Sequence, residues 1–124
     1  APIKTTCAYC GVGCGIAAEV TGPRAVTIRG DESHPANRGA LCSKGTHLGE
    51  TVGLDGRLLH PMIGNQRVSW DHATAEVAAR LNACIAEHGP DSVAFYVSGQ
   101  LLTEDYYVAN KLMKGFIGSG NIDT

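Results

Sequence analysis

Residues 7–15, Cys7-Ala8-Tyr9-Cys10-Gly11-Val12-Gly13-Cys14-Gly15, place three cysteines within eight positions of one glycine-rich stretch. A fourth cysteine, Cys42, stands further along, so that the full spacing is C-x2-C-x3-C-x27-C. A cubane [4Fe–4S] cluster takes four thiolates, and glycines let the backbone curl so that its amides reach the sulfurs. The spacing therefore predicts one such cluster with four ligands, namely Cys7, Cys10, Cys14 and Cys42.

Structural zinc and a disulfide scaffold are the alternatives for these cysteines. Zinc sites favour a pair of ligands at each end of a loop. Cys42 has no cysteine or histidine two to four residues away, since His47 is five residues on. Three cysteines and one remote cysteine are still compatible with zinc, so that alternative stays open. An odd total of five, with local crowding, favours a metal centre in the reducing cytoplasm over secreted disulfides.

The remaining cysteine and the histidines are not predicted to bind metal. Cys84 falls on the apolar face of a predicted helix, where it reads as a small buried hydrophobic residue. The five histidines are scattered and none shows HxH or HxxxH spacing. We interpret them as surface residues or polar contacts.

Composition narrows the class of protein. Hydrophobic residues make up 44% of the 124 positions and charged residues 18%, so a core can be buried. The formal net charge is −2 and no basic run occurs, which gives no support to a nucleic-acid partner. The apolar runs fall far short of the roughly 20 residues that span a bilayer, so we predict no membrane insertion. The first four residues do not resemble a signal peptide.

The first part of the chain predicts a small antiparallel sheet with the cysteines at its first turn. A Gly-Pro pair at 22–23 marks the second turn. A polar loop follows over residues 31–42, and a short helix is predicted over 44–52. The three predicted strands cover residues 3–9, 14–20 and 25–30.

The second part alternates helices and strands in a way that is typical of an α/β layer. Ser69 and Gly89-Pro90 are predicted to begin and end its clearest helix. An apolar, buried strand followed by a helix capped by Thr103 suggests the opening of a parallel sheet. The predicted elements are extended segments at 57–63 and 66–68, helices at 70–88 and 103–114, and a strand at 92–98.

The predicted fold class is therefore α+β, in two domains. Residues 1–60 form a small antiparallel-sheet [4Fe–4S] domain, and residues 61–124 begin an α/β domain that needs more strands. Because the second domain looks incomplete and no initiator Met is present, we expect a piece of a longer protein.

Two further residues are candidates for the chemistry. Lys44 stands two residues after the last predicted ligand, and its charge would ease the addition of an electron to the cluster. The alternative is an ordinary exposed lysine. Gln100 follows the predicted parallel strand just before a helix, which is where open α/β sheets bind ligands. The alternative is a polar turn residue.

Several of these stretches resemble a known group of enzymes. Residues 7–14 and Leu41-Cys42-Ser43-Lys44-Gly45 resemble the cluster motif and fourth-ligand segment of the dimethyl sulfoxide reductase superfamily, molybdenum enzymes that carry bis(molybdopterin guanine dinucleotide). Residues 98–107, 110–118 and 121–124 are most similar to prokaryotic assimilatory nitrate reductases. The resemblance covers essentially the whole chain. Ala8 departs from the proline of many relatives but is not a proposed ligand.

The resemblance implies the reduction of nitrate to nitrite at molybdenum, with electrons arriving through the cluster. It implies that Lys44 lies on the electron path and that Gln100 contacts the molybdenum cofactor. In such relatives the molybdenum-ligating residue follows a segment like 121–124, so the remainder of the enzyme chain is an implied partner and this segment alone is expected to be inactive. Ferredoxin, flavodoxin and a nicotinamide-dependent reductase subunit are compatible electron donors. The alternatives are the same segment of a formate dehydrogenase, or a stand-alone iron–sulfur or zinc-binding module.

Overall fold

The computed structural model describes all 124 residues, which group into two units. Unit 1 comprises Ala1–Asp55 with Gly99–Tyr106, and unit 2 comprises Gly56–Ser98 with Tyr107–Thr124. The division at residue 60 that the sequence suggested stays a prediction. None of the helices combines the length and apolar character that crossing a membrane would require.

Unit 1 is built on a three-stranded antiparallel sheet, as predicted. Its strands, in spatial order, are β1 (Ile3–Thr6), β2 (Gly15–Gly22) and β3 (Ala25–Gly30). Thr6 of β1 pairs with Gly15 of β2, so the residues between them form the connecting loop that carries three cysteines. Gly15 is followed by Ile16, which pairs with Gly30 at the end of β3.

The core of unit 1 lies at the beginning of β2. Ile16 and Ala17 are each only 2% exposed, and Cys7 in the adjoining loop is also buried. Removing such side chains from water is the main favourable term in folding. The core therefore sits directly beneath the cysteine loop and supports it.

The predicted helix over 44–52 is two shorter elements. Helix α1 (Ser43–Thr46) ends at His47, and a 3-10 turn then runs over Leu48–Val52. The 3-10 turn packs against β3. A single turn of helix thus follows Cys42 at once.

Unit 2 begins with a two-stranded antiparallel hairpin and a long helix. Strands β4 (Met62–Ile63) and β5 (Gln66–Arg67) lie within the two predicted extended segments and flank a turn at Gly64-Asn65, but residues 57–61 do not form a strand. Helix α2 (Trp70–His88) has the predicted bounds. Ser69 Oγ accepts a hydrogen bond from the His72 N–H at 3.2 Å, which satisfies one of the free amides of the first turn.

A short parallel pair and a bipartite helix complete unit 2. Strand β6 (Phe95–Tyr96) pairs with β7 (Ile122–Asp123) in parallel, as the α/β prediction required. The prediction of a buried strand over 92–98 is wrong at Tyr96, which is 90% exposed, because this two-stranded sheet leaves one of its faces uncovered. Helix α3 (Thr103–Asn110) begins in unit 1 and continues in unit 2 as a π-helix over Lys111–Ile117. The fold is α+β, as predicted.

Candidate metal centre

The loop between β1 and β2 holds three of the predicted ligands in a closed turn. The Cys7 N–H donates to the Cys14 carbonyl at 2.8 Å, which joins the two ends of the loop. Gly13 adopts a φ of +66°, a conformation that glycine takes at little cost. Cys7 is buried, whereas Cys10 and Cys14 are half-buried. The loop therefore carries three thiols on a backbone whose ends are tied together.

The fourth predicted ligand, Cys42, occupies the N-cap position of α1. The backbone N–H groups of Gly45 and then Lys44 lower the pKa of the Cys42 thiol by hydrogen bonding, and the Lys44 ammonium lowers it further. Desolvation of the thiol raises its pKa, but by less than the Gly45 or the Lys44 hydrogen bond lowers it. The thiolate is the form that ligates metal, so this position prepares Cys42 for ligation.

The pKa of the Cys14 thiol responds to the charges of the other three predicted ligands. Burial raises the pKa of the Cys14 thiol most, and the charges of Cys7, Cys10 and Cys42 each raise it further. Like charges raise a pKa in this way only at short range. Cys7, Cys10 and Cys42 thus lie within electrostatic range of Cys14, and their joint role as metal ligands stays a prediction.

The candidate ligands are thiols alone. All five cysteines are free thiols, so the disulfide alternative has no support in the structure. No group of three or more His, Cys, Asp or Glu side chains converges closely enough to hold one metal ion. Four cysteines are the ligand set of a [4Fe–4S] cluster, and a four-cysteine zinc site takes the same set.

A cavity of about 300 Å³ opens beside the cysteine loop within unit 1. Cys7, Cys10 and Gly11 line one side of it, and the segment Gly99–Tyr106 supplies the other. A Cβ atom placed on Gly11 would lie 3.2 Å from Thr103 Oγ1, so a side chain there would crowd the cavity wall. Thr103 has no predicted role in the site, because no local sequence pattern links it to a loop some 90 residues away.

The other candidate residues have different surroundings. Lys44 is exposed and adjoins Cys42, while Gln100 is exposed in the bend that precedes α3 within unit 1. Cys84 lies in unit 2, where its Sγ donates to Ser92 Oγ at 3.4 Å. Its half-buried position on α2 agrees with the packing role that the sequence suggested. Of the charges that raise the pKa of Cys14, none comes from Cys84.

A buried carboxylate that the sequence did not single out anchors the start of the loop leading to Cys42. Asp31 Oδ1 accepts hydrogen bonds from Lys4 Nζ at 2.9 Å, from the Ser33 N–H at 3.0 Å and from Ser33 Oγ at 2.7 Å. The Lys4 bond, followed by those of Ser33, lowers the pKa of Asp31 to about 2. Asp31 therefore stays ionised and ties the loop to β1.

Comparison with known proteins agrees with this organisation. Residues 2–53 match the family described as molybdopterin oxidoreductase Fe4S4 domain, and residues 57–124 match the family described as molybdopterin oxidoreductase. These two matches support a [4Fe–4S] cluster and a molybdopterin cofactor, and the all-cysteine donor set fits the first of them.

Individual proteins that are similar to this chain include two nitrate reductases. The chain is 61% identical over 98% of its length to a nitrate reductase of Klebsiella oxytoca, of which it spans 14%. It is 42% identical over 98% of its length to a periplasmic nitrate reductase of Desulfovibrio desulfuricans, of which it spans 17%. Among solved structures, acetylene hydratase from Pelobacter acetylenicus matches 97% of the chain with a TM-score of 0.73 at 25% identity, and the chain spans 18% of it.

Proposed function

The chain belongs to the molybdopterin oxidoreductase family, and on that basis we propose that it is the cluster-bearing, N-terminal part of an assimilatory nitrate reductase. In this proposal electrons reach molybdenum bis(molybdopterin guanine dinucleotide) through a [4Fe–4S] cluster, and nitrate is reduced to nitrite. The observation that carries the proposal is the match of residues 2–53 to the Fe4S4 domain family, over a cysteine loop that the Cys7 N–H to Cys14 carbonyl hydrogen bond closes.

The substrate is proposed from the relatives and not from the fold. A protein named nitrate reductase is 61% identical to this chain, whereas acetylene hydratase shares the fold at 25% identity. One fold hosts many reactions, so the fold alone does not choose among them. A putative formate dehydrogenase of Staphylococcus aureus is only 32% identical over 97% of the chain, so the higher identity favours nitrate over formate.

Each residue of the proposed site has a distinct task. Cys7, Cys10, Cys14 and Cys42 hold the cluster, which when bound supplies one-electron transfer. The Lys44 and Gly45 amides donate to the Cys42 sulfur and withdraw charge from it, which raises the reduction potential. Lys44 serves as the electron relay beyond the cluster, and Gln100 contacts the molybdenum cofactor.

The partners and the location complete the proposal. The remainder of the enzyme chain holds the rest of the molybdenum site, and ferredoxin, flavodoxin or a nicotinamide-dependent reductase subunit supplies electrons. Five free thiols favour the reducing cytoplasm. A periplasmic nitrate reductase stands among the relatives, so fractionation of cells that produce the full-length enzyme distinguishes the two compartments.

Activity of the full-length enzyme tests the proposed substrate. The enzyme is purified without oxygen and supplied either with reduced viologen and nitrate or with oxidised viologen and formate. We expect nitrite to form in the first assay and no viologen reduction in the second. Formate oxidation without nitrite formation would assign the chain to a formate dehydrogenase instead.

The role of Lys44 is tested by Lys44→Met in the same enzyme. We expect turnover to fall at least several-fold while the iron content per chain stays unchanged, because the lysine is a relay and not a ligand. Lys114→Met removes the same charge from unit 2 and serves as the control. Equal turnover in both variants would remove the proposed role of Lys44.

A further inference from the structure

The side chain of Asn37 makes three hydrogen bonds that join two separate segments of unit 1. Its Oδ1 accepts from the Gly15 N–H at 2.8 Å. Its Nδ2 donates to the Gly15 carbonyl at 3.0 Å and to the Ala40 carbonyl at 2.8 Å. One amide thus pairs with both backbone polar groups of Gly15, in the way that a neighbouring strand would.

The two segments that Asn37 joins are the ones that carry predicted ligands. Gly15 directly follows Cys14, and Ala40 stands two residues before Cys42. No strand pairing links these segments, since β1 and β3 take the two edges of β2. The Asn37 amide is therefore a direct hydrogen-bonded bridge between the Cys14 side and the Cys42 side of the site.

The turn that follows Asn37 needs such an anchor. The Ala40 N–H donates to the Asn37 carbonyl at 2.8 Å, which closes the turn. Within it Arg38 has a φ of +45°, which is uncommon and unfavourable for a residue with a side chain. The next residue, Gly39, packs so closely on β3 that a Cβ on Gly30 would clash with the Gly39 carbonyl oxygen. The amide of Asn37 offsets the cost of this conformation with three hydrogen bonds.

We propose that Asn37 is a positioning residue of the iron–sulfur site, which sets the separation between the Cys14 and Cys42 sulfurs and so retains the iron that Cys42 ligates. This inference rests on the proposed ligand set. Without the bridge, the segment carrying Cys42 would lose its hydrogen bonds to Gly15, and the Asp31 N–H bond to the Gly15 carbonyl would hold only the start of the loop. The iron that Cys42 would ligate is therefore the one expected to be lost most easily.

The test uses the full-length enzyme, purified without oxygen, with Asn37→Asp and Asn37→Ala. Aspartate keeps the size and one acceptor but loses both donors and turns negative charge toward two carbonyls. Alanine removes all three bonds without adding charge. Asn82→Asp adds the same charge at an exposed position of α2 in unit 2 and is the control.

The readout is iron per chain together with the electron paramagnetic resonance signal of a three-iron cluster after brief treatment with ferricyanide. Oxidation takes one electron from [4Fe–4S]²⁺ to ferricyanide and releases one Fe²⁺, which leaves [3Fe–4S]⁺. We expect both Asn37 variants to give a three-iron signal at least ten-fold stronger than that of the wild type or of Asn82→Asp. The three-iron signal also distinguishes the loss of one iron from general unfolding of the protein.

Three outcomes would count against this assignment or its premise. A three-iron signal in the Asn37 variants no stronger than in Asn82→Asp overturns it. Complete loss of the cluster from Asn37→Ala with no three-iron stage also overturns it, because Asn37 would then support the whole fold and not the Cys42 corner. A wild-type enzyme without a four-iron cluster would refute the proposed function itself, which is a different failure.

Discussion

The two units of the chain differ in how much of their apolar surface they bury and in how their polar side chains hold the loops in place. Unit 1 buries Ile16 and Ala17 beneath the cysteine loop and fastens its long loop with the side chains of Asp31 and Asn37. Unit 2 holds ten of the fifteen large hydrophobic residues that are exposed, with Tyr96 the most exposed at 90%. Unit 1 therefore specifies its site with its own contacts, whereas the apolar surface of unit 2 exceeds what its own residues cover.

The largest contrast between the units is expected at their cysteines. Cys42→Ser in unit 1 should lose the four-iron cluster, because a serine hydroxyl does not replace the thiolate and the other three thiolates would hold at most three irons. Cys84→Ser in unit 2 should keep the wild-type iron content. Iron analysis of both proteins after anaerobic reconstitution checks this pair, and equal losses would refute the assignment of the ligands.

The cores of the two units give the next largest contrast. Ile16→Ala should destabilise unit 1 by about 2–5 kcal/mol, because it empties a fully buried site. Val77→Ala should change the stability of unit 2 by less than about 0.5 kcal/mol, since Val77 is 58% exposed. Thermal unfolding followed by the visible absorbance of the cluster and by far-UV circular dichroism measures the two. A large destabilisation by Val77→Ala would show that other residues cover the Val77 side chain in the protein that was measured.

A smaller effect is expected at the buried carboxylate of unit 1. The pKa of Asp31 is about 2 in the folded chain, below its value in an unfolded chain. Its stabilisation is therefore complete above about pH 4 and is lost as the pH falls toward about 2. Asp31→Asn should lower the unfolding temperature by several degrees at pH 7, with a difference from wild type that vanishes near pH 2.

The control for this acid dependence is Asp55→Asn, which neutralises an exposed carboxylate at the end of unit 1. It should unfold like the wild type throughout the range. Acid titration followed by circular dichroism makes the comparison, and a difference between Asp31→Asn and wild type that persists at pH 2 would rule out the charge as its cause.

The smallest effect is expected at the cap of α2 in unit 2. Ser69→Ala should cost about 1 kcal/mol, because the His72 N–H loses its acceptor at the first turn. Ser69→Asn should keep the stability, since asparagine also caps helices well. Chemical unfolding followed by far-UV circular dichroism measures both variants, and equal stability of all three proteins would mean that the cap contributes nothing to unit 2.

Local sequence signals predicted the parts of the fold that depend on local chemistry. The strands around the cysteine loop follow from alternation and turn residues, and helix α2 has its predicted ends because Ser69 and Gly89 act within a few residues. The predicted strand over 92–98 shrank to Phe95–Tyr96 because strand length depends on the neighbours available for pairing. No local pattern contains that information.

The candidate site, like the fold, was predictable only where it depends on local sequence patterns. Cysteine spacing identified the four thiols whose charges act on one another in the structure, whereas Asp31 and Asn37 were not identified. Their partners lie far away in the sequence: Lys4 is 27 residues from Asp31, and Gly15 is 22 residues from Asn37. The sequence predicted a polar loop over residues 31–42, but the partner of the Asn37 amide depends on how that loop packs against β2.

The metal content of the wild-type enzyme tests the central claim most directly. Protein purified without oxygen is analysed for iron, acid-labile sulfide and zinc per chain, with Cys42→Ser measured alongside it. We expect this site to contribute about four irons and about four sulfides in the wild type, and to lose its four-iron cluster in Cys42→Ser while molybdenum is retained. One zinc at the site, with no iron that depends on Cys42, would contradict it.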